Sequence, residues 1–450
     1  MKRSNGPRQL HSLPSSSKVK WEKYEMKKYL HFDKPLPIEI LKSKIQNPTF
    51  ISSHAFYPSI HFNIVFNKYV KRKDGSKVKE RKERSIQYSS HQDQFIYKYY
   101  GDLLNNAYNK YTQDHGIDNV ATAYRNNKGT NNIDFAYEIF DYLFSKEKAL
   151  VISLDFTSFF DNIDHKNLKS NIKEVLGVKE LEDDWYKVFK NTTKYSYIEK
   201  HEIDEFLKDK YGVKRLKRWR PSRIMNDTEF REFKKGRIRF NTSQRGIPQG
   251  SGMSAVCSNI HLIHFDQDLN NWAKEHLALY RRYCDDLILV IPLTHYTKHE
   301  VDRLKEGALK IVKKYKNYGL ELQNKKTEIR LYKDSHILNE SLEQSTLDYL
   351  GFVTDGRFMR IREKSLFKYY TRAYRKAKTS KRISLATRRP GPKKELYDIY
   401  THLGFNYKNR GNFISYAQRA HMKMNTLKTH SLIKNQIKNH WNKIHKIMKI

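Results

Sequence analysis

Cysteine is almost missing from this chain of 450 residues, which holds only Cys257 and Cys284. Two thiols exclude a disulfide framework and cannot supply a cysteine-based zinc site; they fit a reducing, cytoplasmic setting. No apolar run approaches the roughly 20 residues needed to cross a bilayer. The opening MKRSNGPRQLHSLPSSS lacks the apolar core of a secretory signal. A soluble protein with no membrane partner is the expectation. Acids are also scarce: 49 Asp+Glu stand against 87 Lys+Arg, a formal net charge of +38. No acid follows Asp398, and residues 361–450 hold 23 Lys+Arg against Glu363, Glu395 and Asp398. So uneven an excess implies a polyanionic partner, nucleic acid first, because each neutralised phosphate releases a counterion. Full disorder is excluded by 13% aromatic residues and recurring apolar runs, and the length suggests two or three subdomains.

Along the chain, residues 1–20 read as a flexible basic tail. HFNIVFNKYV and RSIQY read as strands of a long charged hairpin turning at Asp74-Gly75. Helical spacing predicts helices over Asp93–Tyr108 and Asn132–Ser145, joined by a loop with AYRNNKG. KALVISLDF is a short apolar strand ending at Asp155, followed by a helix that Asp164 caps and Gly177 ends. Residues 180–240 read as a charged helical insertion containing KRLKRWRPSR. After the loop RGIPQGSG, MSAVCSNIHLIHFDQDLNNWAKEH reads as one helix. LALYRRYCDDLILVI then gives strand, acidic turn and strand; a helix spans about His299 to Tyr318, and LDYLGF begins another strand pair. The basic C-terminal region reads as mainly helical.

Two apolar strands thus deliver Asp155, Asp285 and Asp286 at their ends. Converging carboxylates beside an apolar sheet repel one another unless divalent cations neutralise them, and hard oxygen ligands favour Mg²⁺, with Mn²⁺ as an alternative. Two such ions could activate a 3′-hydroxyl and stabilise leaving pyrophosphate, the chemistry of nucleotidyl transfer. His261, His264, Asp266 and Asp268 could suggest a second metal site; the stronger reading makes them part of a structural helix.

LDFTSFFDNI, RGIPQGSGMSAVCSNI and YCDD, in this order, resemble the first two palm motifs and the catalytic tetrapeptide of the reverse transcriptases. GLELQNKKTEI resembles the following lysine motif and LDYLGF the primer-grip hairpin, so the likeness covers roughly residues 55–355. It implies an α+β right hand: N-terminal region and fingers at 21–147, an antiparallel-sheet palm at 148–355 with the insertion at about 166–240, and a basic helical thumb at 356–450. It makes Asp155 and Asp285 the principal ligands of two metal ions, with the Phe156 carbonyl joining them and Asp286 supporting. Phe160 becomes the steric gate against a ribose 2′-hydroxyl. Gln249 and the Gly250 backbone line the incoming dNTP; Arg84, Arg125 and Lys128 neutralise its triphosphate; Lys326 protonates pyrophosphate. Tyr283 and Cys284 lie under the primer terminus beside the Leu350-Gly351 grip. Lys217, Arg218 and Trp219 suit phosphate contact and base stacking on the template.

HFDKP, HAFYPSIHFNI and RSIQYSSHQDQFIYKYYGDLLNNAY resemble bacterial defence-associated reverse transcriptases of the abortive-infection and unassigned groups. The absence of NAxxH and VTG patterns argues against a retron, and the short segment after the palm leaves no room for an RNase H. The resemblance therefore implies RNA-directed DNA synthesis in antiphage defence, with a noncoding RNA as template or scaffold, a DNA product, and a possible protein partner or homo-oligomer. Two alternatives stand beside it: template-independent or protein-primed synthesis, and an RNA-binding scaffold with a vestigial palm.

Overall fold

The computed structural model describes residues 19–71, 77–218, 221–323 and 327–449. Val19 is already buried in the main core, so packing begins ahead of the expected Trp21. Helices α1 (Ile38–Ile45) and α2 (Pro48–Ser53) follow, the latter started by Asn47, whose side chain accepts from the Thr49 and Phe50 amides ahead of a helix-ready proline. Strands β1 (Ser59–Lys71) and β2 (Lys77–Tyr88) form the long antiparallel ribbon; its expected turn at Asp74-Gly75 lies outside the described residues. Helix α3 (His91–Asp114), capped by Ser90, runs six residues beyond the expected Tyr108. Helix α4 (Asn132–Phe144) starts in a capping box of Asn131 and Asp134.

The palm is a five-stranded sheet in which β3 (Lys148–Asp155) is central. After β3 come α5 (Phe159–Asn162) and α6 (His165–Leu176), the latter capped by Asp164 and ended by left-handed Gly177 as predicted. The insertion departs from the helical reading. Alongside α7 (Asp183–Thr193), α8 (Lys200–Arg218) and α9 (Asp227–Phe233) it contains β4 (Ser196–Glu199) and β5 (Arg239–Phe240). β4 pairs in parallel with β1 at Ser59–His61, giving a sheet ordered β2-β1-β4-β5. The open backbone edge of the ribbon draws in a strand that local sequence does not announce.

The predicted single helix after RGIPQGSG is two: α10 (Ser254–Ile260) and α11 (Ile263–Glu275). The Asn171 amide donates to the carbonyls of Ile260 and His261, and Leu262 leaves helical geometry at φ −103°, ψ 11°. A tertiary donor thus takes carbonyls the helix would otherwise use. Strands β6 (Leu279–Tyr283) and β7 (Asp286–Pro292), helix α12 (Lys298–Lys314), β8 (Glu328–Lys333) and β9 (His336–Leu338) complete the sheet, ordered β6-β7-β3-β8-β9 and antiparallel throughout. Both faces are covered. Leu150, Ile152, Leu287 and Leu289 join the core under α3, α6 and α10, whereas Ala149, Val151, Ile288 and Val290 pack with α4 and the C-terminal region. That double burial is why β3 and β7 read as unbroken apolar runs.

Strands β10 (Leu347–Tyr349), β11 (Phe352–Thr354) and β12 (Phe358–Ile361) form a meander. The C-terminal region then comprises α13 (Glu363–Thr387), α14 (Lys394–Tyr400), α15 (Phe413–Met424), the short β13 (His430–Ser431) beside β12, α16 (Ile433–Ile437) and α17 (His440–Met448). Ala373 and Ala377, one turn apart on α13, cluster with Leu396 of α14 and Ile444 of α17, small side chains that let the helices approach. Among the described residues, no helix is long and apolar enough to cross a membrane.

Candidate active site

Strand register does most of the assembly. Asp155, the last residue of β3, lies directly opposite Asp286, the first of β7. Tyr283 pairs with Asp286 across β6 and β7, so Cys284-Asp285 is a two-residue hairpin turn. Cys284 sits at φ 61°, the left-handed backbone that such tight turns demand and that a non-glycine residue adopts at a cost. Three carboxylates therefore share one end of the sheet: Asp155 buried, Asp285 half-buried, Asp286 exposed. Segment 321–323 runs alongside, with the Thr157 amide donating to the Glu321 carbonyl (2.8 Å) and the Gln323 amide to the Asp155 carbonyl (2.9 Å). Phe156 bridges Leu322 between them. Lys326 itself lies outside the described residues.

Among the described residues, no three His, Cys, Asp or Glu side chains already form a metal cage. An all-oxygen set of two or three carboxylates still fits a hard divalent cation, which commonly takes only one or two carboxylates and fills its sphere with water and substrate phosphates. The imagined second site dissolves. His261, its ring pushed down to about 4 by burial, contacts the Tyr318 carbonyl and Asn167. His264 meets Glu174, Asp266 pairs with Arg282, and Asp268 pairs with Lys314.

The two neighbouring phenylalanines divide: Phe159 is core and Phe160 is half-buried. The Phe160 carbonyl accepts from the Ile247 amide (3.0 Å), which ties Phe160 to the loop bearing half-buried Gln249. Gly250 takes φ 106°, a backbone closed to other residues. α3 passes so near this loop that a Cβ on Gly101 would lie 2.5 Å from the Gly252 carbonyl oxygen. Leu350-Gly351, expected to grip the primer, is another two-residue hairpin turn, at φ 46° and 92° between β10 and β11. It adjoins the acids: burial first, then Asp286, pushes the Tyr349 phenol up.

Arg125 requires a correction. Expected on the triphosphate, its side chain is fully buried, and all five of its N–H groups are committed. Nε donates to Asn109, Nη1 to the Asp118 and Ala121 carbonyls, and Nη2 to Asp118 and Thr112. It braces its own loop and has no donor left for phosphate. Lys128 also binds Asp118, at 2.7 Å, but with partial exposure, while Arg84 is exposed on β2 opposite Ile64. Lys217 and Arg218 end α8, but their side chains, like Trp219, lie outside the described residues.

Two neighbours of the turn escaped the motif reading. Tyr124, at φ 60° and 48% exposed, stands close enough to the Cys284 thiol for the two groups to shift each other's titration; the Asn105 side-chain amide donates to its carbonyl at 2.7 Å. It stands inside AYRNNKG, directly before Arg125. Burial first, then Asp285, pushes the Cys284 thiol up to about 12, which makes it a packing group rather than a nucleophile. The second neighbour is Arg282, fully buried below the turn.

An antiparallel sheet carrying acids at the end of its central strand and in the adjoining hairpin turn, beneath a fingers ribbon, is the palm of a right-hand nucleic-acid polymerase. Residues 94–354 match the reverse transcriptase (RNA-dependent DNA polymerase) family, and the chain belongs to it. Among solved structures it is similar to apo telomerase from Candida tropicalis truncated from the C-terminal domain: 13% identity, TM-score 0.39, covering 71% of this chain and 59% of that one. It is also similar to Candida albicans telomerase in complex with the TWJ fragment of telomeric RNA: 12% identity, TM-score 0.40, covering 93% of this chain and 64% of that one. The chain thus spans about three-fifths of the length of these structures. No curated protein matches it.

Proposed function

We propose that this chain is an RNA-directed DNA polymerase that extends a primer with dNTPs. The observation that carries the reading is the register of Asp155 against Asp286 with Asp285 in the adjoining turn, inside a reverse transcriptase match. Two divalent cations, Mg²⁺ or Mn²⁺, would be held by Asp155, Asp285 and the Phe156 carbonyl with Asp286 in support. When bound they supply Lewis-acid activation of the 3′-hydroxyl and charge neutralisation on the leaving group. The chain's own part is placement. Phe160 closes the sugar pocket against a 2′-hydroxyl, Gln249 and Gly250 orient the nucleotide, and Lys128 and Arg84 meet the triphosphate. Lys326 gives its proton to pyrophosphate, while Tyr283, Cys284, Leu350 and Gly351 seat the primer end. Lys217, Arg218 and Trp219 would contact template. Residues 21–147 serve as fingers, 148–355 as palm and 356–450 as thumb.

The finer reading is antiphage defence in a bacterial cytoplasm with a dedicated noncoding RNA, supported by the defence-like segments at 31–35, 54–64 and 84–108. The test is incorporation of each labelled dNTP and rNTP by protein purified with its bound RNA, beside Asp285→Ala and an RNase-treated sample, followed by product sequencing. Mg²⁺-dependent dNTP incorporation that Asp285→Ala abolishes supports the polymerase, and a product complementary to the bound RNA supports templating. Homopolymer or protein-linked product selects untemplated or protein-primed synthesis. No incorporation under any condition overturns the reading in favour of an RNA-binding scaffold. Unchanged phage sensitivity after deletion of the gene removes the defence role.

A further inference from the structure

Resting on the polymerase reading, we infer that Arg282 is a positioning residue: a buried guanidinium clamp that fixes the Cys284-Asp285 peptide, and so the metal-binding carboxylate, from beneath the sheet. The burial of β6 alternates, so Tyr280, Arg282 and Cys284 point to the interior while Arg281 and Tyr283 point away. Arg282 and Asp266 of α11 are both 0% exposed and form a two-pronged pair, Nε to Oδ1 at 2.9 Å and Nη2 to Oδ2 at 2.5 Å. The Tyr280 hydroxyl donates to the same carboxylate at 2.8 Å. Nη1 does something a mere core pair has no need to do: it donates to the Cys284 carbonyl at 3.0 Å, and also to the Asn259 side chain at 3.1 Å.

The carbonyl it holds belongs to the peptide that leads into Asp285, at the residue forced to φ 61°. A turn with an unfavourable backbone keeps that geometry only if its surroundings over-determine it. Asn259 passes the link to the Ala123 carbonyl (2.9 Å), next to Tyr124, which reaches back to the Cys284 thiol. The Arg282 backbone is held on both sides, its amide on the Val120 carbonyl and its carbonyl on Thr122. A planar fork can serve Asp266, Asn259 and Cys284 together; a lysine ammonium cannot. Displacing a reacting group by about 1 Å costs on the order of 10²-fold in rate, so a clamp on this one peptide has leverage over the chemistry.

The scarcity of cysteine provides the test. Cys284 sits on the turn and Cys257 lies fully buried in the core, so the rates at which a thiol reagent labels each, separated by peptide mass spectrometry, report turn opening and global unfolding independently. The variants are Arg282→Lys, and Arg282→Met combined with Asp266→Leu, which removes both charges and leaves neither unpaired. The expected result in both is faster labelling of Cys284 with Cys257 unchanged, a kcat lower by on the order of 10²-fold, and a dNTP KM within about twofold of wild type. The inference is overturned if Cys284 labels at the wild-type rate and kcat is retained, or if the two thiols accelerate together in both variants, which would make the pair a stability element only. Should wild type itself incorporate no nucleotide, the polymerase reading fails, while the labelling rates still report on the clamp.

Discussion

In the palm, Arg282 has no solvent exposure, and its pairing with Asp266 and the Cys284 carbonyl is complete. On α13, Arg375, Lys378 and Arg382 are exposed at positions 0, 3 and 7 of one helical face, without an acidic partner among the described residues, along a groove they share with Thr371, Tyr374 and Thr379. The same residue types serve opposite purposes. A buried, paired charge loses hydration and gains fixed geometry, so it can hold an atom in place. An exposed and unpaired charge keeps its hydration and stays available to an incoming polyanion. The net charge of +38 is therefore no measure of how the site works; Arg282, buried below the Cys284-Asp285 turn, is neutralised within the fold.

The largest effect tests the acids that the palm arrangement exists to position. Asp285→Ala should lower incorporation by on the order of 10³-fold or more, the scale of losing a principal charge-stabilising group. Its circular dichroism and melting temperature should stay close to wild type, because Asp285 occupies a half-exposed turn. Retained activity would move the chemistry away from this end of the sheet.

Next comes the buried pair. Asp266→Asn leaves Arg282 charged with its carboxylate gone, and urea unfolding should show a loss of about 3–5 kcal/mol, the range for breaking a buried ion pair. A loss near zero would mean that water reaches the site and that Arg282 and the α13 cations differ less than their burial implies. Smaller again is Phe160→Ala. Enlarging a half-buried pocket wall should reduce discrimination between dNTP and rNTP by at least about tenfold, measured as the ratio of kcat/KM values, with modest change for dNTP itself.

Legibility in the sequence follows the range of the interactions involved. β3, β7 and the caps of α6 were readable because a short apolar run, Asp164 and Gly177 act within a few residues. The strands of the insertion were not, since β4 forms by pairing with β1, more than a hundred residues earlier, and with β5 at the far end of the insertion. The break between α10 and α11 depends in the same way on Asn171. Arg125 misled because a cation beside a polymerase motif suggests phosphate, whereas its fate is set by Asp118 and by Asn109 and Thr112 of α3. For Arg282 the signal was present: two-residue alternation along β6 places it on the inner side with Tyr280.

The smallest change in the folded protein should come from α13. Converting Arg375, Lys378 and Arg382 together to Gln touches exposed side chains without acidic partners, so each substitution should alter stability by no more than about 0.5 kcal/mol. The signature should appear in binding instead. If these three cations neutralise phosphates of a duplex, the slope of log K against log salt should fall by about 0.9 for each contact removed. The loss should be uniform across sequences, since backbone contacts carry no base information. Arg282→Lys should leave that slope unchanged while damaging kcat. A triple variant that kept the wild-type slope would show that nucleic acid does not lie along this face of α13, and would leave the basic C-terminal region in need of a different polyanion.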